Sequence, residues 1–341
     1  MPNIGKLPND MLSSILNTLK QPIRKEVLSL PAIGEDCAVL DFSNGLCIVT
    51  TDPITGAEED LGALAVHVSC NDLASSGAEP IGLLVTILAP PSVEFDRISE
   101  IMVQLKNEAA SIGADIIGGH TEITDAVNRI IVSITALGKA DKGKVVMTSG
   151  AQPNDSIILT KYAATEGTAI LANMYEKLLE NKIGSDCLQK AKKLIGSISV
   201  LKEGLISAGF GVSSMHDVTE GGVLGAVWEL CNASQYGARI YKDKIPVLEE
   251  TLQICSCLDI DPLKLISSGC MLIACKRGTE LVELLLKNGI NAGIIGEITE
   301  ERECIMVNGN KTLKIMQPES DELYKARNTP QALTRESRQG G

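Results

Sequence analysis

Aromatic side chains are scarce, with one Trp, five Tyr and three Phe in 341 residues. Little material is left for the stacking platforms on which nucleic-acid bases lie. Positive charge is also in the minority: 31 Lys and Arg stand against 43 Asp and Glu, for a net charge of −12, and no Lys/Arg cluster stands out. No nucleic-acid partner is therefore expected. No apolar run approaches the ~20 residues of a membrane-spanning helix. The longest, Ile81 to Ala89, has the length of a strand and stops at Pro90, so no membrane association is expected. The opening MPNIGKLPND lacks a charged-then-apolar leader, and a cytoplasmic location is expected. Cys-x-x-Cys is absent, and the ten cysteines fall mostly within apolar stretches. They read as reduced, buried thiols. His67, His120 and His216 show no spacing that would build a transition-metal site. A Gly-x-x-x-x-Gly-Lys-[Ser/Thr] loop, a Gly-x-Gly-x-x-Gly fingerprint and a Gly-x-Ser-x-Gly elbow are all missing. Any nucleotide must be held some other way, and serine-hydrolase chemistry is disfavoured.

What remains is an ordered chain, 44% apolar and 22% charged, long enough for about two domains on the ~150-residue prior. Asn9 to Leu19 reads as an amphipathic helix. Cys37–Asp41 and Leu46–Thr51 read as a hairpin around the turn Ser43-Asn44-Gly45. Gly62 to Ser76 and Phe95 to Ser111 have helical periodicity, and Ile81–Leu88 is a β run. Asp115–Ile117 reads as a short strand running into Gly118-Gly119. Arg129–Leu137 reads as a strand buried on both faces because its Ile and Val are nearly continuous. Lys139 to Asn154 has the composition of a linker. Beyond it come a strand at Ser156–Thr160, helices from Thr168 to Glu180 and from Asp186 to Ala208, and the strand-like Ser213–Met215. A helix from Val223 to Ala233, a strand Met271–Ala274, a helix Glu280–Asn288 and a strand Ala292–Ile298 follow. The expected fold class is α/β (or α+β). Its divisions are residues 1–145, residues 150–326, and a polar tail over 327–341 that reads as disordered.

Acidic residues near glycines and element ends are the chemistry-bearing pattern. Asp36 lies in Gly34-Glu35-Asp36, and Asp52 ends the strand Leu46–Thr51. Asp72 sits in a helix otherwise rich in Ala, Val, Leu and Cys, and Glu122 follows Gly118-Gly119-His120-Thr121. Mg²⁺ takes hard oxygen ligands and keeps several waters, so a few carboxylates plus substrate phosphates suffice. Glycines let backbone N–H groups approach phosphate oxygens. Read singly, Asp52 is equally a turn residue before Pro53, Asp36 a loop cap and Asp72 a solvent-facing helix residue. The helix starting at Val223 follows Asp217-Val218-Thr219-Glu220-Gly221-Gly222. Its N-terminus is either an anion site or an ordinary capped end.

These segments, in this order, resemble the ATP-binding superfamily of aminoimidazole ribonucleotide (AIR) synthase, the hydrogenase maturation factor HypE, selenophosphate synthetase and thiamine-monophosphate kinase. The likeness is carried by GEDCAVL (34–40), TTDPITG (50–56), NDLASSGAEP (71–80), IIGGHTE (116–122), SITALG (133–138) and MHDVTEGGVLG (215–225). It is strongest toward the HypE-like, AIR synthase-related branch. The resemblance implies a two-domain PurM-like fold whose N-terminal sheet pairs across a homodimer, with ATP and Mg²⁺ in a cleft at that interface. By motif match, Asp36, Asp52 and Asp72 resemble the carboxylates for magnesium and phosphate, with Glu122 as a further metal ligand. Gly118, Gly119 and Thr121 resemble a phosphate-proximal loop, and Asp217, Thr219, Gly221 and Gly222 a second anion or substrate loop. The implied activity is phosphoryl transfer from ATP to a small-molecule or protein-borne acceptor. Asp52 would act at the metal, and Asp217 would orient or deprotonate the acceptor. Two departures are visible. His120 stands where HypE and the kinases carry an acid. The sequence ends in Gln339-Gly340-Gly341 with its last cysteine at Cys304, so the HypE reaction on a C-terminal cysteine is not expected. These departures keep two alternatives open, a non-catalytic nucleotide-binding maturation or regulatory partner and a small-molecule kinase.

Overall fold

The computed structural model describes residues 34–35, 38–41, 45–55 and 59–327. The expected N-terminal helix, Asp36, Cys37 and the tail beyond Arg327 lie outside them. A first sheet has the order β1-β2-β5-β3-β4. Its strands are β1 (Ala38–Asp41), β2 (Leu46–Ile54), β3 (Glu79–Ala89), β4 (Asp115–Ile123) and β5 (Ile131–Ala140). All neighbours are antiparallel except β3 and β4. Helices α1 (Leu61–Ser75) and α2 (Phe95–Ser111) cover one face. On α2 the apolar residues Ile98, Ile101, Leu105 and Ala109 recur at helical spacing and are buried. By contrast, α1 is buried almost all round, because it lies between this sheet and the second half of the chain. Asn71 on α1 donates to Ile198 O (3.0 Å) and accepts from Val200 N (2.8 Å).

Two expectations change here. Burial alternates along β5, so only one of its faces is covered. The short strand at Asp115 continues through Gly118-Gly119 to Ile123, because β4 stays paired in parallel with β3 to its end, with one register shift that skips Ile117.

The second sheet has the order β12-β11-β8-β10-β6-β9-β7. Its strands are β6 (Ser156–Thr160), β7 (Ser214–Asp217), β8 (Gly237–Tyr241), β9 (Met271–Cys275), β10 (Ala292–Thr299), β11 (Cys304–Asn308) and β12 (Lys311–Lys314). Around it lie α3 (Thr165–Met174), α4 (Glu176–Ile183), α5 (Ser185–Lys193), α6 (Leu201–Phe210), α7 (Gly222–Ser234), α8 (Glu249–Leu258), α9 (Gly278–Lys287) and α10 (Glu322–Arg327). The two long helices expected between 168 and 208 are broken, at Tyr175 and again between Lys193 and Leu201. The expected linker is tied down. Thr148 Oγ1 donates to Met215 O, and Ser214 Oγ donates to Thr148 O. At the contact of α1 with α6, a Cβ on Gly204 would meet Ala74 O at 2.4 Å, so the backbones approach as only glycine allows.

Candidate functional site

Strand register fixes which expected residues share a face. Asp52 on β2 lies opposite Ile134 on β5, Ile134 opposite Val85 on β3, and Val85 opposite Gly119 on β4. Ile134 and Val85 are buried beneath the helices, so Asp52 and Gly119 belong to one row on the helix-covered face. The next row on the same face ends at Thr121, opposite Ile87. Four strands at ~4.8 Å spacing separate the ends of a row by about 14 Å. No single cation spans that distance, so such a row lines a trough rather than a coordination sphere.

Thr50, two residues before Asp52 and on the same face, donates its hydroxyl to Asp72 Oδ2. That contact explains how α1 carries a carboxylate that is only 9% exposed. Asp52 Oδ2 is buried and accepts no hydrogen bond among the described residues. A buried acceptor left without a donor is costly, and a hard cation would satisfy it. Thus Asp52, with Asp72 beside it through Thr50, fits a magnesium site in donor chemistry. Among the described residues no three His, Cys, Asp or Glu side chains gather closely enough to hold a metal without further ligands. Asp36 lies outside the described residues. The turn preceding it is held against the second sheet's α7, since a Cβ on Gly34 would lie 3.3 Å from Glu229 O, and Glu35 accepts Ser149 N–H at 3.2 Å.

Glu122 does not join Asp52 and Asp72 within one chain. Alternation along β4 puts it, with His120, on the opposite face, where the two lie 3.5 Å apart and exposed. Gly118 and Gly119 are likewise strand residues rather than a loop. At Gly119 φ is +151°, and a Cβ would fall 1.9 Å from Val85 O.

The second expected loop also differs from an open anion site. Asp217 ends β7 and is 1% exposed. An acceptor therefore reaches it only if the neighbouring segments move. His216, on the other face of β7, meets Glu229 of α7 at 3.0 Å with both groups buried. Gly221 and Gly222 both have φ in the left-handed region, and their N–H groups point inward, to Asp321 Oδ2 (2.7 Å) and Thr219 O (3.1 Å). An internal carboxylate therefore meets the helix N-terminus that the sequence leaves open as an anion site or a capped end. Asp321, like Asn71 and the pairing of partly buried Lys161 with buried Glu203 (2.8 Å), was missed by sequence reasoning. Asn71 stood next to Asp72 in a quoted segment, and an amide on an otherwise apolar helix was the available signal.

Among the described cysteines, Cys70, Cys231, Cys255, Cys270, Cys275 and Cys304 are buried and Cys47, Cys187 and Cys257 are partly buried. The cysteines are free, and burial pushes Cys70, Cys255 and Cys270 up to about 12. His67 pairs with Glu108 at 2.9 Å, so each histidine has a carboxylate partner of its own.

The family described as AIR synthase related protein matches this chain twice, by its N-terminal domain over residues 34–140 and its C-terminal domain over residues 152–307. The chain belongs to the AIR synthase related family. A protein of Methanocaldococcus jannaschii named for hydrogenase expression/formation is 30% identical over 282 residues, covering 80% of this chain and 82% of that one. Carbamoyl dehydratase HypE of Rhodobacter capsulatus is 26% identical over 274 residues, covering 79% and 78%. The crystal structure of hydrogenase maturation protein HypE in complex with ATP superposes with a TM-score of 0.68 at 21% identity, over 94% of this chain and 98% of that one. The chain thus has the two-domain PurM-like α/β fold. Among the described residues no helix is long and apolar enough to cross a membrane.

Proposed function

We propose that this protein is a cytoplasmic, ATP- and Mg²⁺-dependent enzyme of the HypE-like branch. It transfers a phosphoryl group from ATP to an oxygen of a small-molecule or protein-borne acceptor and acts as a homodimer. The observation that carries the reading is Asp52. Its buried Oδ2 lacks a donor and sits beside the Thr50–Asp72 contact, in the same row and face as Gly119, in a chain whose fold matches that of a HypE bound to ATP.

In this reading Asp52 and Asp72, joined by Asp36, hold the cation. Bound Mg²⁺ would neutralise charge on the polyphosphate. The Gly119 backbone, in the row of Asp52, is assigned to the phosphate oxygens, and Thr121 supplies a hydroxyl on the same face. Glu122, on the opposite face, is assigned to the metal only if a second chain brings it there. Asp217 belongs to the acceptor side, with Thr219, Gly221 and Gly222 forming the loop that follows it. Removing one carboxylate from a cation–polyphosphate site weakens binding by at least 1.4 kcal/mol, which is about tenfold. Calorimetry should therefore find Mg²⁺-ATP binding in the native protein and at least tenfold weaker binding in Asp52→Asn. Equal affinity in the two proteins overturns the assignment. The exposed outer face of the first sheet, with Leu84 40% and Ile117 56% exposed, supports the homodimer.

A further inference from the structure

A group of buried acids lies where the C-terminal helix meets the start of α7. Asp321 is 4% exposed. Its Oδ2 accepts Gly221 N–H at 2.7 Å, its Oδ1 accepts Leu323 N–H at 2.8 Å, and Ile266 N–H also donates to it. Pro318 closes over the same turn, 3.0 Å from where a Cβ on Gly221 would lie. The segment that follows is fastened at three more points. Glu220 accepts the Tyr324 hydroxyl (3.0 Å), Ala326 O accepts the Tyr175 hydroxyl (2.7 Å), and Glu322 accepts Asp261 N–H (3.3 Å). Leu323 and Ala326 are buried in the same core cluster as α3 and α8. Other N–H groups at the start of α7 are also satisfied internally, Gly222 by Thr219 O and Leu224 by Leu263 O.

We propose that Asp321 is a positioning residue for the turn that opens α7: its carboxylate serves as an internal anion on the Gly221 N–H and clamps the C-terminal helix onto the loop that follows Asp217. The positive end of the α7 dipole favours a negative group at that place. Three N–H donors converge on one carboxylate, which an amide cannot reproduce, because half of an amide head is itself a donor. The consequence for the active site rests on the reading that this loop serves the acceptor side. The clamp itself does not depend on it.

The surrounding charges make the clamp sensitive to pH. Glu166 on α3, which accepts Ser268 N–H (3.3 Å), and Glu220 stand close to Asp321. On its own segment Glu322 pairs with Lys325 (3.3 Å), and the side chain of Lys264 is exposed. Burial raises Glu166 to about 7 and Asp321 to about 6. For acids raised in the folded state, the closed form binds protons more tightly than the open one. Burial outweighs the N–H donors and the dipole in setting these protonations, so docking weakens as pH climbs from about 4 to about 7 and levels off above that.

Hydrogen exchange followed by mass spectrometry, corrected for the intrinsic pH dependence of exchange, tests the clamp on the full chain. In Asp321→Asn, residues 219–225 and Glu322–Arg327 should lose protection together, by about tenfold or more, while β6 and β10 keep theirs. In the native protein both segments should lose protection between pH 5 and 7, and Glu166→Gln should flatten that dependence. Loss in one segment alone, or no change in either, overturns the proposal. If Asp321→Asn loosens the whole chain, the Glu166→Gln comparison decides. Calorimetry with Mg²⁺-ATP on the native protein reads the nucleotide assignment separately, since a chain that binds no ATP ends that assignment and leaves the exchange result standing.

Discussion

At Gly119 a single hydrogen atom separates a tolerated strand from a broken one. A methyl group there would lie 1.9 Å from Val85 O, in a backbone conformation that L side chains rarely adopt, whereas at Gly118 it would meet only the flexible Leu84 side chain at 3.1 Å. Gly119→Ala is expected to destabilise the protein by about 2 kcal/mol, the scale of strain at such positions, and Gly118→Ala by much less. Thermal unfolding of the two variants separates them, and equal midpoints would show that β4 shifts freely. The motif made both glycines visible, but only the register tells them apart. The same holds for the acids. Asp52 and Glu122 look alike in sequence, yet alternation along paired strands sends them to opposite faces. Glu166 shows the reverse case, a residue with no motif around it. Burial holds it at about 7 against an ordinary 4.5, so the folded state binds its proton more tightly and loses stability as pH climbs between those values. The full loss is about 3 kcal/mol. Urea unfolding at pH 5 and pH 8 should show a steeper decline for the native protein than for Glu166→Gln, and parallel declines would contradict the burial argument.

Among the elements, α1 was easy to read as a helix and hard to read as the contact between the two halves of the chain. Leu61, Leu64, Ala65 and Leu73 give its period, but nothing local says that its far side meets a second domain. Long-range contacts of this kind leave no pattern in a single sequence. The break of the expected Asp186–Ala208 helix has the same origin. The peptide groups of Ile198 and Val200 turn aside to meet Asn71, so a stretch with helical composition is bent by a partner 127 residues away. Strands β8, β11 and β12 went unread because each is short, and their pairing is decided by neighbours rather than by propensity. Asn71→Ala removes a donor and an acceptor at once and leaves two buried peptide groups without them. The expected cost is about 2–4 kcal/mol, measurable as a fall in the urea midpoint. A change below about 0.5 kcal/mol would mean that water replaces the amide and that the tie between α1 and residues 198–200 carries little.

For the whole molecule, the outer face of the first sheet is the surface that bears on assembly. Leu84 and Ile117 lie there, Ile117 folded over Gly82, and Ile81 nearby is 51% exposed. Apolar residues grouped on one open sheet face favour burial against a partner surface. A second copy of the same sheet is the partner that the family resemblance implies. His120 and Glu122 stand on this face as well, so association would carry Glu122 into the interface, where the other chain's site could receive it. This is the arrangement under which the acids divided between two faces in one chain could still serve one cleft. Sedimentation velocity on the native protein should therefore report twice the 36.2 kDa of a single chain. Leu84→Asp and Ile117→Asp each place a charge in the interface and should yield monomers with the circular dichroism of the native fold. If ATP lies between the subunits, those monomers should also bind Mg²⁺-ATP at least tenfold more weakly although Asp52 and Asp72 are untouched. Monomers that keep full affinity would place the whole nucleotide site within one chain and remove Glu122 from it. A native protein that sediments as a single chain at micromolar concentration would remove the interface itself.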